Sequence, residues 1–438
     1  KEGKNNKLRA SDIKRIADTF IKRESVPKFS RVVSREEIRS NDYNLNIPRY
    51  VDSSEAAEHW DVYASMFGGI PTAEIEELGE FWTAFPALKK ALFTESGIPY
   101  VNVSVDDIKS AIKSHPDVVG FENAFNAAFS TFPAFLKEEL IDRMGSIEIS
   151  KAETVLSADI FERLKDIPLI DKYAAFQLLD DDWTGISIDL EMLQTEGFAA
   201  TKKVDPNLVI KKKDGKDQEV QEGWVGHIIP FDLVQATLLS AETDELHGLE
   251  SRLAEIPSEY ESILDEMTEE DKESCNDVLT EEGDAFVPKE VSKKIKELKK
   301  DRSPESVALR TLLEKVESLI KSEKEIKAEI KAKSAALQAK TKDTIESLSD
   351  EQALDLLEKK WIAPLIESIH KLPDTVIDSL VSKIQALQNK YATTFFEVEQ
   401  QISETEATLS GMIDDLEGNE YDMLGLNELK KLLGGSAE

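Results

Sequence analysis

Apolar residues recur every three or four positions along the second half of the chain, a spacing that places them on one face of a helix. The first of these series consists of Leu246, Leu249, Leu253, Ile256, Tyr260, Ile263 and Met267. We expect a kink in it at Pro257. After the polar stretch 268–286 comes a second series, which consists of Val291, Ile295, Leu298, Leu312, Val316, Leu319, Ile326, Ile330 and Leu337. Two such arms joined by a polar segment predict an antiparallel coiled-coil hairpin over residues 231–345.

A third series predicts one long helix over residues 374–417, within a C-terminal segment of helices at 346–438. Seven of its apolar positions follow a repeat close to 3.5 residues, and they are Leu380, Ile384, Leu387, Tyr391, Val398, Ile402 and Leu409. A stripe of this kind needs a second helix to cover it. That helix belongs either to an internal bundle or to a partner protein, so these seven residues are candidate partner-binding residues.

The N-terminal region shows shorter patterns. Residues 11–23 predict a helix with Ile13, Ile16 and Phe20 on one face. The stretch 43–47 is typical of a strand, and the proline that follows it ends any central pairing.

Residues 53–160 predict a helical domain. Its most regular feature is a set of four aromatic residues at helical spacing, namely Phe121, Phe125, Phe129 and Phe132. Aromatic stripes of this kind usually form a core, and an acidic chain disfavours the alternative of a base-stacking surface.

Residues 161–230 predict a mixed α/β segment with a hairpin, because Asp214-Gly215 is a two-residue turn signal between strand-like runs. Four lysines at 211, 212, 213 and 216 surround that turn. They are either phosphate contacts or charges that prevent edge-to-edge pairing of the hairpin. The expected fold is therefore mainly α: a helical domain with a small β-hairpin, plus long antiparallel coiled-coil or helical-bundle arms.

Charge changes the picture of possible partners. The chain of 438 residues has a net charge of −33, but residues 1–50 contain 13 Lys or Arg and 7 Asp or Glu, a balance of +6 that leaves −39 for the rest. An acidic body is repelled by DNA phosphates, so it indicates protein partners or simply solubility. The single cysteine, Cys275, excludes internal disulfides and indicates a reducing, cytoplasmic compartment, and no apolar run is long enough to span a membrane.

The sequence predicts no catalytic, cofactor-binding or metal-binding residue. The five histidines are not spaced as a helical metal pair, and they are His59, His115, His227, His247 and His370. The run 180–182 is acidic but lacks the spacing and the glycine of a calcium loop. Hydrolase, nucleotide-binding and zinc-protease motifs are missing as well.

Residues 41–52 read NDYNLNIPRYVD, a string of low compositional entropy. It closely resembles the signature that follows the catalytic core in modification (M) subunits of type I restriction-modification systems. The residues that carry the resemblance are Asn41, Tyr43, Asn44, Leu45, Asn46, Pro48, Arg49 and Tyr50. Weaker resemblance is present at 169–183 and 349–366.

The resemblance implies an adenine-specific DNA methyltransferase that uses S-adenosylmethionine. It implies three kinds of partner: a specificity (S) subunit that reads the DNA, a second M subunit, and DNA itself through the full complex. In this family the C-terminal helices dock on the specificity subunit and on the partner M subunit, which the heptad arms suit.

The motifs that would do the chemistry are missing. No Pro-Pro dipeptide is present, although the family's adenine-binding motif is Asn-Pro-Pro-aromatic. The pairs Gly68-Gly69 and Gly434-Gly435 are not placed between a strand and a helix, as a cofactor-binding turn would be. We therefore expect this chain to be the C-terminal part of a longer subunit, with residues 1–52 as the tail end of the methyltransferase core. We expect it alone neither to methylate DNA nor to bind S-adenosylmethionine.

Two functions of different classes fit the pattern. The first is an M-subunit fragment that serves assembly with the specificity subunit and a partner M subunit. The second is a free-standing acidic coiled-coil scaffold or chaperone-like interaction protein, which the heptads alone would support equally well. The string at 41–52 and the change from basic to acidic charge favour the first.

Overall fold

A computed structural model gives the fold of the chain. It describes residues 7–54, 59–97, 99–213, 216–280, 284–301 and 303–433. Helices dominate these residues and the strands are few and short, so the prediction of a mainly α fold is confirmed.

The first half of the chain contains eleven described α-helices and three strands. The helices are α1 (Ala10–Lys22), α2 (Arg35–Ser40), α3 (Val62–Phe67), α4 (Thr72–Glu76), α5 (Gly79–Ala84), α6 (Leu88–Leu92), α7 (Ile108–Lys113), α8 (Pro116–Phe129), α9 (Phe132–Leu136), α10 (Ile149–Leu164) and α11 (Lys172–Glu196). The strands are β1 (Ile70–Pro71), β2 (Phe93–Gly97) and β3 (Tyr100–Val103). A π-helical turn at Lys137–Asp142 and 3₁₀ turns at Ile47–Arg49 and Phe198–Lys202 complete this half.

The second half contains one hairpin and ten further described helices. The hairpin strands are β4 (Val204–Lys213) and β5 (Lys216–Gly226). The helices are α12 (Phe231–Leu238), α13 (Ser240–Glu266), α14 (Glu269–Ser274), α15 (Pro288–Leu298), α16 (Pro304–Glu346), α17 (Asp350–Trp361), α18 (Ala363–His370), α19 (Leu372–Lys390), α20 (Phe395–Asp414) and α21 (Glu420–Leu432).

The chain divides into two compact units. The first unit comprises Lys1–Leu136, Glu148–Thr184 and Pro364–Glu438, and the second comprises Lys137–Ile147 and Gly185–Ala363. The division into the five sequence segments 1–52, 53–160, 161–230, 231–345 and 346–438 stays a prediction.

The core of the first unit combines aromatic residues of α5 and α8 with aliphatic residues of α19. Phe125, Phe129 and Phe132 are almost fully buried, as their helical spacing predicts, and Phe85 packs edge-on against Phe121. A three-stranded antiparallel sheet, in the order β1-β3-β2, lies within the segment that the sequence predicts to be wholly helical. That prediction missed the sheet because its strands are only two to five residues long.

The two long arms of the second unit, α13 and α16, run antiparallel. Residue numbers rise along α13 as those of their partners fall along α16, in the pairs Glu242–Lys340, Glu245–Lys333, Tyr260–Glu323 and Glu266–Lys315. This direction is the one that the sequence predicts. The apolar series lies between the arms, where Ile256, Ile263, Val316 and Leu337 are buried.

The second arm differs in one respect from the prediction, because it consists of two helices rather than one. Helix α15 ends at Leu298, and α16 begins after Ser303, whose hydroxyl accepts a hydrogen bond from the Ser306 amide. Pro304 occupies the first helical position, where its missing N–H costs nothing. Helix α13, by contrast, continues through Pro257.

Strands β4 and β5 form the predicted hairpin, with Val209 opposite Val220 and a shift of register between Pro206 and Leu208. The turn at Asp214-Gly215 and the side chains of the lysines at 211, 213 and 216 lie outside the described residues. Lys342 of α16 lies 3.8 Å from the ring centroid of Trp224, which anchors the base of the hairpin. Among the described helices, none combines the length and apolar character needed to cross a membrane.

Candidate assembly surfaces

The signature segment folds into a turn that is held by its own side chains. Asp42 and Tyr43 adopt left-handed conformations, with φ of 55° and 57°, so the chain reverses immediately after α2. The Asn41 side chain donates to the Glu37 carbonyl at 3.0 Å and accepts from the Arg49 guanidinium at 3.3 Å. The expectation of a strand at Tyr43–Ile47 is wrong, because two consecutive left-handed residues cannot continue an extended strand.

The two tyrosines of the signature close the same turn. The Tyr50 hydroxyl donates to the Asn44 carbonyl at 2.5 Å, and the Tyr43 hydroxyl accepts from the Arg39 side chain at 3.2 Å. Polar groups are thereby used within the segment, while Leu45 and Ile47 remain 72% exposed. These two aliphatic side chains are therefore candidate contact residues for another part of the protein.

Helix α1 turns its polar face inward and its apolar face outward. Ser11 and Thr19 are buried, whereas Ile13, Ile16 and Phe20 are exposed, Phe20 by 82%. The helix predicted at 11–23 is therefore present, but its apolar face is largely exposed.

Cationic side chains attach the inward face of α1 to α10 and α11. Lys14 lies 5.3 Å and 5.2 Å from the ring centroids of Phe161 and Phe176. Arg15 lies over the ring of Tyr173 at 5.7 Å. Burial, with a further contribution from the Asp18 carboxylate, raises the pKa of Tyr173 to about 12. These contacts fix α1 so that its apolar face points away from the unit.

A groove with exposed apolar walls lies beside that outward face. We call it the N-terminal groove; its apolar residues are Ile16, Phe20, Ile21, Phe29 and Val32, with Arg23, Glu24 and Arg31 at the rim. The combination of apolar walls with a mainly basic rim is typical of a protein contact rather than of a catalytic pocket.

The seven candidate partner-binding residues fall into two groups. Leu380 and Ile384 are fully buried, Tyr391 is 4% exposed, and Leu387 packs against the same core. This half of the stripe belongs to the interior of the first unit, where α19 packs on α7. Two ion pairs, Lys109–Asp378 and Lys113–Asp374, border that contact.

The stripe is interrupted between its two halves. Helix α19 ends at Lys390, and α20 begins after Thr394, whose hydroxyl accepts from the Glu397 amide while the Glu397 carboxylate accepts from the Thr394 amide. The single helix predicted over 374–417 is therefore wrong. A reciprocal cap of this kind starts a new helix, so the stripe breaks at Thr394 for a structural reason.

The second half of the stripe is exposed on α20. Val398, Ile402 and Leu409 are 38%, 53% and 44% exposed. Met412 continues them on α20, and Leu416 follows at the same spacing just after the helix ends at Asp414. We call these five residues, with Thr405 between them, the exposed stripe. The adjoining face of α20 buries Ser410 and Ile413, on the side where Asp414 pairs with Lys430 of α21.

Titratable groups form one compact cluster in the second unit. The His227 ring contacts Asp205 through Nδ1 at 2.6 Å and Glu196 through Nε2 at 3.2 Å. Hydrogen bonding to Asp205 raises the pKa of His227 against the opposing effect of burial, and Glu196 adds to the rise. In the charged form of His227 both ring nitrogens donate hydrogen bonds to these carboxylates. The histidine therefore links Asp205 to Glu196, which is a structural role. Within the described parts of the chain, no group of His, Cys, Asp and Glu side chains has metal-binding geometry.

Comparison with known protein sequences gives a match over the residues that include α1 and the signature turn. Residues 1–59 match the N-6 DNA Methylase family. The N-terminal segment is similar to methylase subunits of type I restriction enzymes. A methylase subunit of the type I restriction enzyme MjaVII from Methanocaldococcus jannaschii is 42% identical over 77 residues, 17% of this chain and 13% of that protein. The MpnII methylase subunit of Mycoplasma pneumoniae is 34% identical over 62 residues, 14% of this chain and 11% of that protein.

The aligned residues cover 11–13% of these two relatives. The resemblance that the sequence string predicts is thereby confirmed for the N-terminal region. No solved structure matches the chain significantly.

Proposed function

We propose that this chain is part of a type I restriction-modification M subunit, and that its helices serve assembly with the specificity subunit and with a second M subunit. The parent enzyme would methylate adenine in DNA with S-adenosylmethionine, in the cytoplasm, and would reach DNA through the full complex. The observation that carries the proposal is the N-6 DNA Methylase match over residues 1–59. A free-standing scaffold does not account for that match.

The N-terminal groove and the signature turn have a common role in this proposal. Both expose aliphatic or aromatic side chains in a basic region, and both lie within the matched residues. We assign them to the contact with the methyltransferase core, with the residues of the signature turn holding Leu45 and Ile47 outward. The buried polar face of α1 then attaches that core to the helical unit.

The exposed stripe has the other role, that of the subunit contact. Leu380, Ile384, Leu387 and Tyr391 build the interior support, so the partner-binding residues of the proposal reduce to Val398, Ile402 and Leu409. An exposed apolar row on a helix that is anchored by a buried continuation offers a rigid surface to another helix.

The experiment is co-purification with a specificity subunit of a type I system from the same organism. Tagged specificity subunit should retain the chain, and Ile402→Glu should weaken retention by roughly tenfold or more, because a carboxylate would enter an apolar contact. Ala407→Glu adds the same charge to the opposite face of α20 and should leave retention unchanged. Retention that is insensitive to Ile402→Glu, or absent from the start, would contradict the proposed role.

A further inference from the structure

We infer that the exposed stripe of α20 binds a basic, apolar-striped helix of another chain. This deepens the proposed function and rests on it for the existence of an assembly partner. The observations that select such a helix are the spacing of the stripe, the face that α21 covers, and the charge around it.

The spacing of the exposed stripe specifies a helical occupant. Its members follow one another at intervals of four, three, four, three and four residues, in the order Val398, Ile402, Thr405, Leu409, Met412 and Leu416. Such alternation keeps a row of side chains facing a second helix that winds around the first. A strand would need alternate residues on an extended edge, which a helix does not present. Twenty residues of α20 give the contact a length of roughly 30 Å.

Helix α21 leaves this row open because it occupies the neighbouring face. The buried residues of α20 are Ser410 and Ile413, and the bidentate contact of Lys430 with Asp414, at 2.8 Å to both oxygens, holds α21 on that side. Met412 and Leu416 remain 64% and 51% exposed although α21 lies beside them. Of the 20 residues of α20, only Ser410 and Ile413 are buried, so the apolar row is exposed along the helix.

Charge around the row selects a basic occupant. Residues 391–429 contain ten Asp or Glu and no Lys or Arg. Glu399 and Glu406 occupy positions of α20 that flank the row, where charges decide which partner a coiled-coil helix accepts, and Asp415 follows at the end of the helix. Lysine or arginine at the facing positions would pair with them.

The same charge disfavours a second copy of this chain as the occupant. Two copies of the segment would bring ten acidic residues against ten, at an interhelical distance comparable to the screening length in physiological salt. Like charges at flanking positions are a recognised means of preventing self-pairing. The inference therefore commits to a helix from a different protein.

The test uses the full chain and three synthetic, side-chain-stapled helical peptides of about three heptads. The first has a leucine stripe flanked by lysines, the second has the same stripe flanked by glutamates, and the third has the composition of the first with its apolar positions scrambled. Fluorescence anisotropy at physiological salt measures their binding. The first peptide should bind at least about tenfold more tightly than either of the others.

Two variants locate the binding site and one serves as the control. Ile402→Glu should abolish the preference for the first peptide, whereas Ala407→Glu should preserve it. The double variant Glu399→Lys/Glu406→Lys should shift the preference toward the glutamate-flanked peptide. Circular dichroism of each variant should match the unmodified chain, since all four positions are exposed.

Four results would overturn the inference. Equal binding of the scrambled peptide would mean that charge alone acts, and absence of binding or preference for glutamate flanks would mean that the selection is wrong. A dimer in light scattering that Ile402→Glu converts to a monomer would mean that the row holds a second copy. None of these measurements uses the specificity subunit. If the peptides do not bind as expected but the chain still co-purifies with the specificity subunit, only this inference is contradicted. If the first peptide binds as expected but the chain does not co-purify, only the proposed function is contradicted.

Discussion

Tyr391 donates its hydroxyl hydrogen to the Glu74 carboxylate at 2.5 Å, and the same oxygen accepts the Asp61 amide hydrogen at 3.1 Å. This bond lies where the heptad stripe passes from the buried helix α19 to the exposed helix α20. Burial, with a further contribution from Glu74, raises the pKa of Tyr391, so the hydroxyl stays protonated as a donor. The tyrosine thereby anchors the start of a helix whose own apolar row is open.

Replacing Tyr391 by phenylalanine should destabilise the first unit. The change leaves the Asp61 amide without its partner and removes the donor to Glu74, and a lost bond of this kind costs about 1–3 kcal/mol. Urea unfolding followed by circular dichroism measures the effect. Tyr421→Phe is the matched control, because Tyr421 is 83% exposed and its loss of a hydroxyl should leave stability unchanged. Equal effects of the two changes would contradict the anchoring role.

The two halves of the stripe should respond differently to truncation. Ile384→Ala removes a fully buried side chain and should lower the free energy of unfolding by about 2–5 kcal/mol. Ile402→Ala removes one that is 53% exposed and should change it by less than about 0.5 kcal/mol. Denaturant titrations of both variants decide the matter. A large loss at position 402 would mean that the exposed stripe is covered by the chain itself.

A buried carboxylate in the second unit gives a third prediction. Asp189 is 6% exposed and accepts from the Lys360 ammonium and, at 2.8 Å, from the Trp361 indole N–H. Asp189→Ala leaves both donors without this acceptor and should cost about 3 kcal/mol. Asp355→Ala, which breaks the exposed pair with Lys359, should cost less than about 0.5 kcal/mol. Thermal and urea unfolding measure both effects. An equal loss of stability in Asp189→Ala and Asp355→Ala would contradict the prediction.

The His227 cluster predicts a pH dependence of stability. Because folding raises the pKa of His227 above its ordinary value of 6.5, its contribution is complete below pH 6.5 and is lost as pH rises through the folded value. Hydrogen bonds to Lys203 and His227 lower the pKa of Glu196, whose own contribution is lost only in acid.

The free energy of unfolding of the unmodified chain should therefore fall, by about 1 kcal/mol, as pH rises from 6 to 9. His227→Gln should flatten that part of the profile. His247→Gln, at an exposed position on α13, should not. Parallel profiles for the unmodified chain and His227→Gln would show that the cluster does not titrate as described.

The sequence predicts the helical arms and their antiparallel direction well, because the spacing of apolar residues is a local signal that repeats along each arm. Ile256, Ile263 and Val316 recur on a period that only a helix satisfies, and a polar segment between the two series requires the chain to turn back. The break before Thr394 is harder to predict, since Thr394 continues the numerical repeat while its hydroxyl starts a new helix with Glu397. The cap signal, Thr-x-x-Glu, is present in the sequence but competes with the heptad pattern.

Burial is what the pattern alone leaves undetermined. Ile384 and Ile402 have the same residue type and belong to the same apolar series, yet one is in the core and the other is exposed. The difference depends on which elements fold back onto each helix, and those elements include the short strands β1 and β3, too short for a periodic signal. Similarly, Tyr43 reads as a strand residue by composition, but a left-handed φ at two adjacent residues makes it part of a turn.

The mass of the complex in solution tests the central claim most directly. The chain, co-expressed with a specificity subunit of a type I system from the same organism, should elute as an assembly whose light-scattering mass equals two chains plus one specificity subunit. Ile402→Glu should return the chain to the mass of a single copy, whereas Ala407→Glu should leave the assembly intact. A chain that elutes alone, at the mass of one copy and with the specificity subunit in a separate peak, would contradict the account.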